Sequence, residues 1–386
     1  MTLKGRFPGS GSIPTPSHGA VGELYAAALA RYEAGDASAA ALFDAVLAAY
    51  PAHVPARYKL ANLHKEAGEL DAAEAGYAEV LRRQPAHAEA LNNLGAIHQL
   101  RGAPAAAETC YREAIASDPA LPAPALNLGR LLIDAGRMAE AERVFADAQA
   151  RSLDAGLFGH LRAAAGGGSG DARAGVANGA ARAPESYVRE TFDAFAGGFE
   201  QRLVGELDYR VPAQLVALAR RRVGAAGGLD VLDLGCGTGL VGQSLERPGT
   251  LARSLVGIDL STRMLDEARR KACYTSLQQA DIAAWLAGAP GAHFDLVIAA
   301  DVFIYFGELD AVFADVGRTL RAGGLFAFSV ETTEQGRWQL LRSGRYAQSD
   351  AYIAELYSRH GLILEERLPV AIRRGVAGAL FLLRKR

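Results

Sequence analysis

A 34-residue step runs through the first half of the chain and constrains its fold more than any other feature. Gly68, Gly102 and Gly136 stand 34 apart, as do Ala61, Gly95 and Gly129. Ala73, Ala107 and Ala141 keep the same step, then Tyr77, Tyr111 and Phe145, and finally Pro85 and Pro119. Chance in an Ala-rich stretch aligns alanines, but not five columns together. The small residues at 95 and 107 let two antiparallel helices approach closely, and Tyr111 or Phe145 fills the space between them. Glycines 68, 102 and 136 suit the turn between those helices, where positive φ is cheap. Proline near the end of each unit stops the second helix. One such hairpin cannot bury its apolar face, so neighbours stack into a short solenoid.

These units resemble tetratricopeptide repeats. Residues 54–87, 88–121 and 122–153 are good copies, and residues 21–53 resemble a degenerate first copy with Gly35, Ala40 and Pro51 in place. The resemblance implies a groove that binds a protein or peptide partner. A stabilising appendage and a homodimerisation arm are the alternatives.

Around this array the sequence sets boundaries. Residues 1–19 read as a flexible tail: Lys4 and Arg6 precede Gly, Pro and Ser with no apolar run, so they are no signal peptide. No continuous run reaches the length of a membrane span, so membrane insertion is not expected. The repeats occupy residues 20–162, closed by a capping helix near Leu157–Arg162. A Gly/Ala-rich linker follows at 163–184, and a second domain fills 185–386. A length of 386 residues suits two such domains. The net charge of -2 gives no argument for nucleic acid. Cys110, Cys236 and Cys273 stand apart, forming neither a disulfide framework nor a metal motif, so a reducing cytoplasm is the expected compartment.

From Leu229 the period changes. Leu229–Leu234 is a short apolar run, followed by Gly235–Cys236–Gly237–Thr238–Gly239 and a helical stretch from Leu240 to about Glu246. Strand, glycine turn and helix bring backbone close to a ligand at a strand's carboxyl end. Leu255–Asp259 is a second strand ending in an acid, which can accept both hydroxyls of a ribose. Asp281 stands where it can receive an adenine amine, and Asp301 ends the buried strand Phe294–Ala300. This spacing points to an adenosine-containing ligand on an α/β sheet. Both a dinucleotide and S-adenosylmethionine fit that description. Asp233, just before the turn, repels a pyrophosphate and attracts an α-amino group, which favours S-adenosylmethionine.

Residues 185–386 resemble a class I methyltransferase, with VLDLGCGTG, VGIDLSTRML, QQADI and FDLVIAADVFIYFGEL as successive motifs and Leu320–Phe328 leading into the fifth strand. The resemblance implies a Rossmann-like domain with a seven-stranded mixed sheet. It also implies cofactor contacts from Asp233, Gly235, Cys236, Gly237 and Gly239, a ribose held by Asp259 beside Leu260, and adenine packed on Met264 and read by Asp281 and Ile282. Ala300 would line the methionine end. The whole chain is similar to a bacterial family of repeat-bearing methyltransferases. Phe192–Glu200 and Leu207–Pro212 belong to that likeness and resemble lid helices, with Phe192, Phe195 and Phe199 on one helical face.

The acceptor side is thinner. Asp301, Tyr305, Glu331, Arg345 and Tyr346 are the candidates, from strand ends and the polar insertion Glu334–Asp350. Against each stands a plainer role: packing for Phe303 and Tyr305, helix capping for Asp301, a solvated surface for Arg337, Arg342 and Arg345. His360 reads as a helix-end residue, and His64 and His98 lie on repeat helices. No cluster has metal-ligand spacing. The expected activity is methyl transfer to an oxygen or nitrogen acceptor, small or protein-borne, with the repeats recruiting it. A non-catalytic, cofactor-sensing scaffold is the alternative.

Overall fold

A computed structural model describes residues 18–151, 153–166, 182–189, 205, 208–223, 227–245 and 251–386. Residues 1–17 of the expected tail and the lid phenylalanines Phe192, Phe195 and Phe199 lie outside the described residues, while residues 18 and 19, also expected in the tail, open the first helix. Two compact units part between Leu131 and Leu132.

The first unit is built of helix hairpins: α1 (His18–Glu33), α2 (Ala39–Ala49), α3 (Val54–Glu66), α4 (Leu70–Arg83), α5 (Ala88–Leu100), α6 (Pro104–Ser117) and the start of α7 (Pro122–Asp134). The repeat columns have the expected physical content. Gly35, Gly68 and Gly102 all take positive φ between the paired helices. A Cβ on Gly95 would meet the Tyr111 ring at 2.7 Å, so the column alternates a missing side chain with a completely filled gap.

One column escaped the sequence reading. His53 and His87, also 34 apart, cap α3 and α5: each Nδ1 accepts a backbone N–H, from Ala56 at 3.1 Å and from Ala90 at 3.3 Å. Only a neutral imidazole accepts there. Burial lowers the His53 pKa below its ordinary 6.5, opposed by its own backbone hydrogen bond. A depressed pKa means stability that is present above about pH 6.5 and lost as pH falls. Acidification from pH 7 to 5 should therefore weaken the repeats, by about 1 kcal/mol for the His53 cap. In His53→Asn, which caps without titrating, urea titrations should show a smaller acid loss. An equal loss in both proteins would rule the His53 cap out.

The second unit takes the end of α7, then α8 (Met138–Ala150) and α9 (Ala155–Ala165), which pack with Phe145 and Phe158 rings 6.2 Å apart. After α10 (Val211–Val223) comes an α/β domain: β1 (Leu229–Leu234), α11 (Leu240–Leu245), β2 (Ala252–Asp259), α12 (Thr262–Arg270), β3 (Ser276–Gln279), α13 (Ile282–Gly288), β4 (Phe294–Ala299), α14 (Asp310–Thr319), β5 (Leu320–Thr332), β6 (Trp338–Leu340), β7 (Tyr346–Gln348), α15 (Asp350–Arg359), β8 (Leu362–Arg373) and β9 (Val376–Lys385). The main sheet runs β3-β2-β1-β4-β5-β9-β8, with β9 antiparallel to both neighbours. The sheet is mixed, as expected, but with two further strands it has nine rather than seven. Val231, Leu296, Ile298, Leu325 and Leu380 form its core against Leu215 and Leu218 of α10.

The polar insertion holds two further short strands. β6 pairs antiparallel with β7, and β7 continues the sheet beside Glu331 and Thr332. Buried Trp338, Leu340, Tyr346 and Ala347 explain why this segment folds onto the domain despite its polar residues. Strand order reverses at β1, which lies between β2 and β4, so the crevice for a ligand opens at their carboxyl ends.

Candidate active site

The glycine turn has two kinds of glycine. At Gly235, φ is +67° and a Cβ would lie 2.5 Å from Val302 Cγ2, so packing excludes a side chain. At Gly237, φ is +52° and nothing lies within 4 Å of where a Cβ would be. That backbone faces open space suited to a ligand. The Gly237 N–H donates to Asp259 Oδ2 and the Ser261 N–H to Oδ1, both at 2.9 Å. A strand-end carboxylate is an acceptor of the kind that a ribose hydroxyl needs. The Cys236 N–H ties the turn to β2 through the Ile258 carbonyl, 2.9 Å away.

Beneath the turn, Asp233 is completely buried and its Oδ2 accepts from the Tyr274 hydroxyl at 2.7 Å. Its Oδ1 and the Thr238 hydroxyl are buried with no partner among the described residues. Burial pushes the Asp233 carboxyl up to about 7, with the Tyr274 hydrogen bond pulling against it and the charge of Asp259 adding to it. Tyr274 was missed from sequence. A Cβ on Gly239, Gly242 or Gly257 would come within 3.1, 2.8 or 2.8 Å of its ring, so glycines from three segments make room for one tyrosine. Glycines inside a helix and a strand, where they weaken both, were the available signal.

At the expected adenine edge, Asp281 caps α13, its Oδ1 accepting from the Ala284 N–H at 2.9 Å. Its other oxygen pairs with Arg182, whose guanidinium lies 4.6 Å from the centre of the Phe306 ring. Burial works to raise the Asp281 carboxyl, but the Arg182 pair and the cap override it and leave it low. Ile282 is buried as the first residue of α13, and Leu260 and Ala300 are half-buried at the ends of β2 and β4. Met264 is packed inside α12 with no exposed surface.

Of the residues expected on the acceptor side, the structure gathers Asp301, Tyr305, Glu331 and Arg345, and adds a residue that the sequence did not single out. Arg373, at the end of β8, donates to Asp301 Oδ2 at 2.7 Å and also pairs with Glu331 Oε1. Asp301 sits at φ +59°, its N–H held by the Ser329 hydroxyl at 2.8 Å, and its Oδ1 is buried without a partner among the described residues. Burial raises the Glu331 pKa, opposed by Arg373 and Arg345. Arg345 approaches Glu331 to 3.8 Å. Tyr305 is buried, and its phenol is raised by burial and stays neutral. Tyr209, just before α10, is likewise raised by burial and then by Asp301, with Asp233 adding to it.

Tyr346 stands differently. It is fully buried, 5.4 Å from the Trp338 ring and 5.7 Å from the His160 ring, in the packing of the β6–β7 hairpin. Arg337 pairs with Glu355 and lies over Tyr352, and His360 meets Asp310 at the end of α15. Among the described residues no cluster is placed to hold a metal, and no helix is long and apolar enough to cross a membrane.

The methyltransferase-domain family profile matches residues 231–324, from β1 to the start of β5, and the tetratricopeptide-repeat profile matches 58–122 and 102–156. The chain carries a methyltransferase domain behind tetratricopeptide repeats. It is 36% identical over 100 residues to a trans-aconitate 2-methyltransferase of Azoarcus sp. (strain BH72), covering 26% of this chain and 38% of that protein. It is 33% identical over 108 residues to methyltransferase-like protein 27 of Homo sapiens, covering 28% and 43%. The chain thus spans less than half the length of these relatives. Among solved structures it is similar to a magnesium protoporphyrin IX methyltransferase from Synechocystis PCC 6803 with bound SAH, at 20% identity and a TM-score of 0.42, over 53% of this chain and 100% of that one.

Proposed function

We propose that this chain transfers a methyl group from S-adenosylmethionine to an oxygen or nitrogen acceptor that carries a negative charge. The observation that carries the cofactor is the Gly237–Asp259 cradle. There a left-handed backbone faces open space, beside a strand-end carboxylate and two unpartnered polar groups, Asp233 Oδ1 and the Thr238 hydroxyl. The cofactor, when bound, supplies an electrophilic methyl on a sulfonium.

The chain's own residues would do the rest. Asp259 orients the ribose, and Asp233 accepts from the ammonium of the methionine end. Asp301, held in place by Arg373, presents a free carboxylate oxygen that can take a proton from the acceptor. Arg345 makes no side-chain hydrogen bond among the described residues, and its closest acid is 3.8 Å away. It is the guanidinium left to meet an anionic group on the acceptor. The name of the Azoarcus relative specifies trans-aconitate, a carboxylate anion, which supports that reading. The repeats would then recruit a partner or a protein-borne acceptor.

The test is labelled S-adenosylmethionine with cell extract fractionated into small-molecule and protein pools. Label should enter an acid-bearing compound or a protein with the wild type and not with Asp259→Ala. That variant loses the ribose acceptor and should bind S-adenosylhomocysteine about 2–3 kcal/mol more weakly, roughly 30- to 150-fold. Unchanged affinity in calorimetry, with the variant folded, removes the ribose assignment. Cofactor binding without transfer to any fraction identifies a cofactor-sensing scaffold instead.

A further inference from the structure

We infer that α9 is a positioning element of the acceptor site, acting through His160 on the Gly344 carbonyl and so on Arg345. The catalytic consequence rests on the methyl-transfer reading above, while the mechanical link does not.

His160 is 5% exposed, and its Nε2 lies 2.8 Å from the Gly344 carbonyl, 184 residues along the chain. Burial lowers its pKa, opposed by that hydrogen bond, so the ring is neutral at pH 7 and donates from Nε2. Gly344 sits at φ +78° in the tight turn between β6 and β7, where its N–H meets the Leu341 carbonyl at 2.9 Å and the Leu341 N–H meets the Arg345 carbonyl at 2.7 Å. A Cβ there would fall 2.4 Å from the Tyr187 hydroxyl, which itself donates to the Ser343 carbonyl at 3.3 Å. His160 thus grips one carbonyl and Tyr187 the one before it.

The rings complete the clasp. His160 lies 4.8 Å from Tyr187 and 5.7 Å from Tyr346, and Tyr187 lies 6.3 Å from Tyr305. Two three-residue strands are too short to hold their own shape. Their turn is fixed by what docks on it, and α9 supplies a buried polar contact to that turn. The next residue, Arg345, brings its guanidinium to 3.8 Å from Glu331, which Arg373 also holds. Release of the Gly344 carbonyl would leave Arg345 free to swing away, while Asp259 and the glycine turn lie on other segments and stay as they are.

The experiment compares the full-length wild type with His160→Phe, which keeps a ring, and His160→Gln, which restores an N–H donor. Three quantities are read: phenylglyoxal modification of Arg345 by mass spectrometry with Arg373 as internal reference, hydrogen exchange across residues 338–348, and calorimetric binding of S-adenosylhomocysteine. In His160→Phe, Arg345 modification and hairpin exchange should rise at least tenfold while Arg373 and cofactor affinity stay within twofold. His160→Gln should return both to within threefold of wild type. Transfer of label to the acceptor pool should fall and recover in parallel. Unchanged Arg345 reactivity and hairpin exchange in His160→Phe would overturn the inference, as would a loss of protection across β1 and β2 as well, which would mean general unfolding. A wild type that binds no S-adenosylhomocysteine would overturn the methyl-transfer reading, and the hairpin measurements would still decide the His160 link.

Discussion

Replacing Arg373 by Met should destabilise the protein by about 3–5 kcal/mol, the scale of breaking a buried ion pair from one side. Arg373 is 7% exposed and holds both Asp301 and Glu331, so its loss strands two carboxylates in the domain interior. Glu331 is already raised by burial, and Arg373 is the first of the charges that oppose that rise. Without it Glu331 should take up a proton on folding. An acid whose folded pKa is raised makes folding more favourable as pH falls. The variant should therefore recover part of its stability between pH 8 and 5, where the wild type gains less. Differential scanning calorimetry should show a melting temperature lower by about 10 °C at pH 8. Adding Asp301→Asn and Glu331→Leu should return much of that loss, because removing a whole charge network is far milder than removing half of it. A shift under 2 °C for Arg373→Met alone would show that the triad is not held as the structure places it.

Asp233→Asn should separate stability from cofactor binding. The folded carboxyl titrates near 7 against an ordinary 3.8, chiefly because it is buried. Between those values the folded protein keeps a proton that the unfolded chain has lost. Stability then falls as pH rises through that window and levels off above 7. At the ~1.4 kcal/mol equivalence of a tenfold change in ionisation, the total is about 4 kcal/mol. Asparagine has no proton to lose, so the variant should be more stable than wild type at pH 8 and nearly equal at pH 4. Affinity should move the other way. If the charged Asp233 accepts from the ammonium, the wild type should bind S-adenosylhomocysteine more tightly as pH rises through 7, and the variant should bind weakly with a flat profile. Urea titrations at pH 4, 6 and 8 with calorimetry at the same points read both effects. Parallel stability curves for the two proteins would remove Asp233 as the titrating group, and a pH-independent wild-type affinity would remove its contact with the ammonium.

The two domains were legible in the sequence because their signals are local. A helix hairpin needs a left-handed residue at its turn, and Gly35, Gly68, Gly102 and Gly136 mark all four with positive φ. A strand that ends beside a ligand needs glycine where backbone must approach, and Gly235, Gly237 and Gly239 take that conformation in one continuous segment. Asp259 follows at the end of the next strand, so periodicity and turn chemistry alone place it near Gly237. The insertion at Glu334–Asp350 was read as polar, since strands of three residues are too short to show alternation.

What the tertiary structure alone decided is how distant side chains pair. Asp281 was legible as an acid placed to receive an adenine amine, but its pairing with Arg182, 99 residues earlier, follows from the path of the chain. Arg373 meets Asp301 across 72 residues, and His160 meets Gly344 across 184. No spacing rule connects such positions. Helical and strand periods report which face a residue occupies, whereas the partner of a buried charge is set by which faces the packing of the whole domain brings together.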